Sequence, residues 1–401
     1  MVQQSVKQKN VLFLTYDGLT DMLGQSQILP YLEGLSKYEF RITIISFEKR
    51  KYYELFSDEI QKRCNQHNIK WIHLKYHKRP LVLSTLYDII KLFFTVYEIH
   101  RKQKIDIIHC RSYITSLVGL WFKKKKNIGF IFDMRGFWAD ERFERNIWNP
   151  NNIVLKKVYN YFKKKEIQFI NHSDRIISLT QAAKDYIIKN FNVKENKIEI
   201  IPCATKFNND NQEVNTSSNN IKKVVYIGSL RTSYLVDEMF LFFSIFKKKY
   251  NNAKFNIFTP ENKEYLLNFL SKYNLEETDL HISFIEQKEV NKILLNSDLG
   301  ICFIKNSFSA IASSPTKFSE MLAANIPVVC NNVGDLKEHC KQIPYTYCFD
   351  ELNEETFKKF IDNFEFPSDE ERKKISQSAQ KIYDLDLAVN KYLNVYRSLY
   401  E

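Results

Sequence analysis

Apolar and polar positions follow two rhythms along this chain: short unbroken apolar runs, and longer stretches in which apolar residues recur three and four apart. Val11, Leu12, Phe13 and Leu14 stand in succession within residues 10–16, as a parallel strand covered on both faces requires. Comparable runs at 40–47, 69–74, 105–109, 128–132, 175–179 and 197–201 predict further strands. Helix-period stretches at 26–36, 52–66, 84–101, 115–123, 153–169 and 182–189 separate them. A polar stretch at 206–221 then holds Asn208, Asn209, Asn211, Asn215, Asn219 and Asn220 with Thr216, Ser217 and Ser218, and reads as a linker. Beyond it the alternation resumes, with strands expected at 224–227, 255–258, 281–284, 299–304 and 326–330. Strand and helix alternating on both sides of a linker predict an α/β fold of two doubly wound domains, 1–205 and 222–368. Residues 369–401 carry Ile382, Leu385, Val389, Leu393 and Val395 at helical spacing. They are expected to form terminal helices that pack back on the first domain.

The 401 residues are 44% hydrophobic and 26% charged, a folded globular composition. Seven cysteines are scattered with no close metal-type pairing and read as reduced core thiols. No zinc spacing, P-loop or carboxylate cluster is present, so no metal is expected. The net charge of +12 raises nucleic acid as a partner. Its distribution argues for an anionic membrane surface instead. Lys123 to Lys126 follow Trp121 and Phe122. Leu83, Leu86, Ile89, Ile90, Phe93, Phe94, Val96 and Tyr97 lead into His100, Arg101, Lys102 and Lys104. With no apolar leader after the first methionine and no run of about 18 apolar residues, a cytoplasmic protein is expected, peripheral on the inner face of the cell membrane.

In an open parallel sheet, ligands bind beyond the carboxyl ends of the strands, so chemistry is sought in the loops that follow them. The first such loop, 17–26, holds Gly18 and Gly24 for close backbone approach and Ser26 as a helix cap; it lacks the three-glycine dinucleotide spacing. Arg111 follows the fourth strand. Asp133, Arg135, Phe137, Trp138, Asp140 and Glu141 follow the fifth. The arginines suit phosphate or carboxylate, the aromatics suit stacking on a sugar, and the carboxylates suit proton transfer. His109 reads as a hydrogen-bonded structural histidine. In the second half Gly228, Ser229, Arg231 and Thr232 follow the first strand. Ser314, Pro315, Thr316, Lys317 and Glu320 open a helix that runs into the apolar strand at Val328 and Val329. Ser314 or Thr316 can cap that helix with Pro315 in its first turn, and Lys317 adds a positive charge. Together the two segments suit a diphosphate.

On these segments, with the Leu23-Gly24-Gln25-Ser26 loop, the chain resembles the family 4 glycosyltransferases across nearly its whole length. That resemblance implies a GT-B fold, two Rossmann-like domains facing a cleft, and retaining, metal-independent hexosyl transfer as in bacterial surface-polysaccharide biosynthesis. The donor, a nucleoside-diphosphate sugar, is a co-substrate and no cofactor is implied. Its site would comprise Gly24, Gly228, Ser229, Arg231, Ser314, Thr316, Lys317 and Glu320. A glycan or lipid-linked acceptor would meet Arg111, Phe137, Trp138, Asp140 and Glu141, and Arg135, Asp133 and Lys317 would take catalytic parts. Four positions depart from the family pattern. The first of its two glutamates eight residues apart falls on Ala312, its arginine and lysine after the glycine turn on Ser229 and on Tyr234 or Leu235, and its acceptor-side histidine on Arg135. These departures leave a non-catalytic GT-B homologue, a partner subunit or sugar-binding module, as the alternative.

Overall fold

The computed structural model describes residues 8–207, 221–230 and 233–400. The chain divides into two compact units, Met1–Pro202 with Leu385–Glu401, and Cys203–Asp384. Arg231, Thr232 and most of the 206–221 linker lie outside the described residues.

In the first unit seven strands, β1 (Lys9–Thr15), β2 (Phe40–Glu48), β3 (Lys70–Lys75), β4 (Ile107–Arg111), β5 (Gly129–Asp133), β6 (Arg175–Ser178) and β7 (Ile198–Ile200), lie in the order β3-β2-β1-β4-β5-β6-β7. The apolar run of β1 is at most 4% exposed from Val11 to Leu14, because sheet neighbours and helices cover both faces. Phe13 pairs with His109 in the β1–β4 register. The second unit repeats the order with six strands. These are β8 (Lys223–Ile227), β9 (Lys254–Phe258), β10 (Leu280–Ser283), β11 (Leu299–Cys302), β12 (Val328–Asn331) and β13 (Thr346–Phe349), arranged β10-β9-β8-β11-β12-β13. Every pairing between these strands is parallel, so both units are Rossmann-like sheets. Strand β13, with its polar Thr346 and half-buried Tyr347 and Cys348, was not expected from the sequence. Phe240, Phe242, Phe243 and Phe246 pack with Phe255, Phe303, Phe349 and Phe357 to fill one face of the second sheet.

In each sheet the strand order reverses between the first and fourth strands, and the crevice at such a switch point is where doubly wound proteins place ligands. The switch point of the first sheet brings Asp17 and Arg111 together. In the second, Gly228 follows β8 at the corresponding place. Helix α1 (Leu29–Leu35) buries Leu29, Tyr31, Leu32 and Leu35. On the first unit α2 (Leu81–Lys102) packs on α3 (Ser112–Lys126), and α3 on α5 (Ile153–His172), with the short α4 (Trp138–Glu144) also against α5. In the second unit α6 (Thr316–Ala323) packs on α7 (Asp369–Tyr383), whereas α8 (Leu385–Arg397) packs on α1. Of the two terminal helices, then, α7 belongs to the second unit and only α8 to the first.

Candidate functional site

The second unit builds its site around Lys317 in the first turn of α6. Its Nζ donates to the Tyr226 hydroxyl at 2.6 Å and lies 3.9 and 3.6 Å from the ring centres of Tyr226 and Tyr234. The side chain is 8% exposed and, among the described residues, makes no ion pair. Loss of water pushes its amine down from 10.5 to about 7. The full positive charge expected from the sequence is therefore only partial near neutral pH. Gly228, at φ 115°, closes the space above it, and a Cβ there would stand 3.2 Å from Nζ. The Gly228 amide is already bonded to the Phe258 carbonyl at 2.8 Å. The glycine thus contributes room, not a donor. Ser229 is exposed and its Oγ donates to Glu261 at 2.9 Å, while its carbonyl accepts from the Tyr226 hydroxyl at 2.6 Å. One turn along α6, half-buried Glu320 accepts from Gln287 at 2.9 Å. Burial raises its carboxyl to about 7 against the lowering effects of Gln287 and Lys317.

The cap of α6 differs from expectation. Pro315 itself is the cap residue, with no side-chain cap bond, and the Ser314 hydroxyl accepts instead from the Cys203 amide at 3.0 Å. Thr316 is the first helical residue, half-buried beside Lys317. Ala312 is 3% exposed in the 3-10 turn Phe308–Ala312, within the packed interior.

In the first unit the strand ends gather a charged network. Asp133, 2% exposed, accepts from Tyr392 at 3.2 Å and lies 3.4 Å from His109 Nε2. The other His109 nitrogen lies 2.8 Å from the Tyr396 hydroxyl. Both tyrosines come from α8. Burial works to raise the Asp133 carboxyl, but Arg135, His109 and Arg111 together bring it below its ordinary value. Burial also depresses His109, leaving it neutral. A carboxylate so stabilised is a weak proton acceptor and an effective anchor. Arg135 is half-buried in the left-handed region at φ 57°. Arg111 is 4% exposed, and its Nε lies 3.8 Å from Asp17 with no hydrogen-bond partner among the described residues.

Four residues expected on the acceptor side sit differently. Phe137 is 1% exposed and packs edge-on against Tyr186 at 5.2 Å, so its ring offers no face to a sugar. Trp138 is half-buried among Tyr113, Trp148 and Phe162, with the Arg142 guanidinium 4.5 Å over its ring. Asp140 is buried and holds Tyr159 at 2.9 Å and Lys163 at 2.7 Å. Glu141 pairs with Arg145 at 2.5 Å, one turn on. Gly24 is buried where a Cβ would meet the Gly18 carbonyl at 2.1 Å, so only glycine fits. Ser26 caps nothing; its hydroxyl donates to Met22 within the helix.

Tyr226 and Gln287 carried no signal in the sequence, whereas Arg142 closed the charged loop that follows the fifth strand. Glu261, two residues beyond Thr259 at the end of β9, was findable by searching that strand's loop.

Residues 32–206 match the family described as Glycosyltransferase Family 4, and residues 207–382 match Glycosyl transferases group 1. No curated protein sequence matches the chain. Among solved structures, sucrose-phosphate synthase from Thermosynechococcus elongatus is similar at a TM-score of 0.69 and 11% identity, over 98% of this chain and 99% of that one. A glycosyltransferase from Rickettsia africae aligns at 0.63 and 15%, over 98% of each chain. Anabaena Alr3699/HepE in complex with UDP and glucose aligns at 0.66 and 12%, over 97% of this chain and 99% of that one. With a glycosyltransferase family matched on each of its two Rossmann-like halves, the chain belongs to the glycosyltransferases of GT-B fold.

Proposed function

We propose that the protein transfers a hexosyl group, with retention at the anomeric carbon and without a metal, from a nucleoside-diphosphate sugar to a glycan or lipid-linked acceptor of bacterial surface-polysaccharide synthesis. The observation that carries this reading is Lys317, a buried amine that makes no contact ion pair among the described residues, beneath the Gly228 turn and at the switch point of a sheet whose half matches Glycosyl transferases group 1. A departing diphosphate supplies an anion in contact with it. Lys317, Ser229, Thr316 and the turn would stabilise charge growing on it, Glu320 would hold sugar or ribose hydroxyls, and the diphosphate would take the acceptor proton on the same face. Anabaena Alr3699/HepE, similar in fold, is known with UDP-glucose, which favours a nucleotide-sugar donor. On the acceptor side the Asp133–His109 network would hold the Arg111 and Arg135 loops in place.

A melting series with uridine, guanosine, adenosine and cytidine diphosphates tests the donor. One of them should raise the melting temperature with concentration, because a ligand that binds only the fold stabilises it by mass action. Proton NMR of the product should then show the donor's anomeric configuration. Response to none of the four would favour the partner-subunit reading, which Ala312 and Ser229 support.

We also place the protein on the inner membrane face. Leu83, Leu86, Ile90, Phe94 and Tyr97 form one stripe on α2 and are 42–65% exposed. Helices α2, α3 and α5 together carry twelve lysines and arginines against three carboxylates. Among the described residues no helix is long and apolar enough to cross a membrane; α2 would lie in the interface, its stripe in the acyl boundary and its basic neighbours at anionic headgroups. The wild type should float with phosphatidylglycerol vesicles and not with pure phosphatidylcholine. The double change Leu83→Glu and Phe94→Glu should abolish flotation without lowering the melting temperature; flotation that survives it would sink this assignment.

A further inference from the structure

The carboxyl ends of β1, β3 and β4 surround two arginines that the fold leaves short of partners. Arg111 Nε and Arg142 Nε are both buried and donate to no acceptor among the described residues. An unpaired buried donor on a charged group costs at least about 1–3 kcal/mol, so two in one cluster need a reason. The cluster is contiguous. Asp17 lies 3.8 Å from Arg111 and also acts electrostatically on Arg142, as do Tyr16 and Tyr76, whose rings are 5.5 Å apart. Burial depresses both guanidinium groups, the state of cations held without enough counter-charge.

The local balance is positive. Arg111, Arg135, Arg142 and Arg145 are set against Asp17, Asp133 and Glu141, the last shared between Arg145 and Arg142, while His109 is neutral. Asp17 is itself 45% exposed in its side chain and reaches Arg111 only at 3.8 Å. The Arg142 guanidinium lies 4.5 Å over Trp138 and 5.9 Å over Trp148. Stacking covers the flat face of a guanidinium and leaves its in-plane N–H edge for a planar or tetrahedral oxyanion.

We propose that Arg111 and Arg142 form an anion-holding acceptor subsite, which takes a phosphate or carboxylate group carried by the sugar acceptor. This rests on the transferase reading for the word acceptor; the anion site itself rests on the first unit alone. The acceptor class is thereby narrowed from any glycan to an anionic one, either a phosphate-linked or an acidic sugar. Arg135 shapes the local field, while Arg142, from α4, supplies the second contact.

All four tryptophans, Trp71, Trp121, Trp138 and Trp148, belong to the first unit, so tryptophan emission of the full chain reports on this site and not on the nucleotide half. Inorganic phosphate and acetate are titrated separately, with methyl glucoside as the neutral control. A saturable change with phosphate, acetate or both is expected, and the tighter of the two names the group. Arg111→Gln, which leaves the Arg142–indole stack in place, should weaken it at least about tenfold, as loss of a charge-assisted contact does. Lys317→Met should leave it unchanged. Far-ultraviolet circular dichroism confirms that each variant is folded. An absent response, an equal response to methyl glucoside, or an Arg111→Gln titration like that of the wild type overturns the proposal. A positive titration with no nucleoside-diphosphate stabilisation would retain the anion site and reject the transferase reading; the reverse pattern would reject only the anion site.

Discussion

Lys317→Met is expected to lower sugar transfer by about two to three orders of magnitude, the usual cost of removing one donor aimed at developing negative charge. It should leave the melting temperature at pH 7 unchanged or raised. The two halves of this result have one cause. The amine has lost its water without a carboxylate in contact, and Glu320 and Glu261 offset only part of that loss, so its charge is a burden to the empty fold and an asset to a bound diphosphate. Methionine keeps the stem volume, and the Tyr226 hydroxyl retains the Ser229 carbonyl. The pH dependence gives a sign that packing alone would not. Between about 7 and 10.5 an unfolded chain holds the proton that folded Lys317 has shed, so wild-type stability gains from this group as pH rises through that window. Glu320 acts the other way, its stabilising contribution being present at low pH and lost as pH rises from 4.5 to about 7. The Met variant should lose the first trend and keep the second. Diphosphate binding near pH 7 should draw a proton onto the wild-type amine, seen by calorimetry as a heat that changes with the buffer's ionisation enthalpy. A Met variant that turns over at the wild-type rate would remove Lys317 from the mechanism.

Glu48→Ala should cost the first unit about 3 kcal/mol or more, a fall of roughly 6–12 °C in melting temperature for a domain of this size. Glu48 is 4% exposed at the end of β2. Its carboxylate accepts from the Leu19 amide at 2.8 Å, the Thr20 amide at 3.1 Å, the Ser46 hydroxyl at 2.5 Å and the Thr20 hydroxyl. Alanine strands all four donors away from water. Glutamine restores fewer of them, because its amide nitrogen brings two further donors to a place that offers donors already. The loop so held, 18–20, packs against Gly24, so loosening it should also disturb the turn that the transferase reading assigns to the donor. Calorimetric melting of the two variants decides the matter, and a loss below about 1 kcal/mol would show that water or a shifted backbone replaces the carboxylate.

The strands were legible because parallel strands buried on both faces need continuous apolar runs, and the runs at 10–16, 40–47 and 128–132 satisfy that need. Strand β13 was missed for the same reason, since its centre is only half-buried and its composition mixed. The terminal helices were legible as helices, but the unit each joins was not. Apolar spacing shows that a face will be covered without showing by what. Phe137, Trp138 and Asp140 stood in a loop rich enough to suggest ligand contacts. The fold uses them as packing and as a buried partner of Lys163, a distinction that depends on what surrounds each side chain.

By itself the sequence determined the α/β rhythm, the two doubly wound halves and the loops at which chemistry had to be sought, because these follow from local periodicity and the geometry of parallel sheets. The segment 313–329 was recognisable on that basis as a loop, a helix start and a buried strand. Only the tertiary structure decided the state of its lysine. Lys317 meets Tyr226 across 91 positions of chain, and His109 meets Tyr396 across 287. Charge and proton affinity at these sites depend on desolvation and on distances of a few ångströms, quantities that arise only when remote segments are packed together.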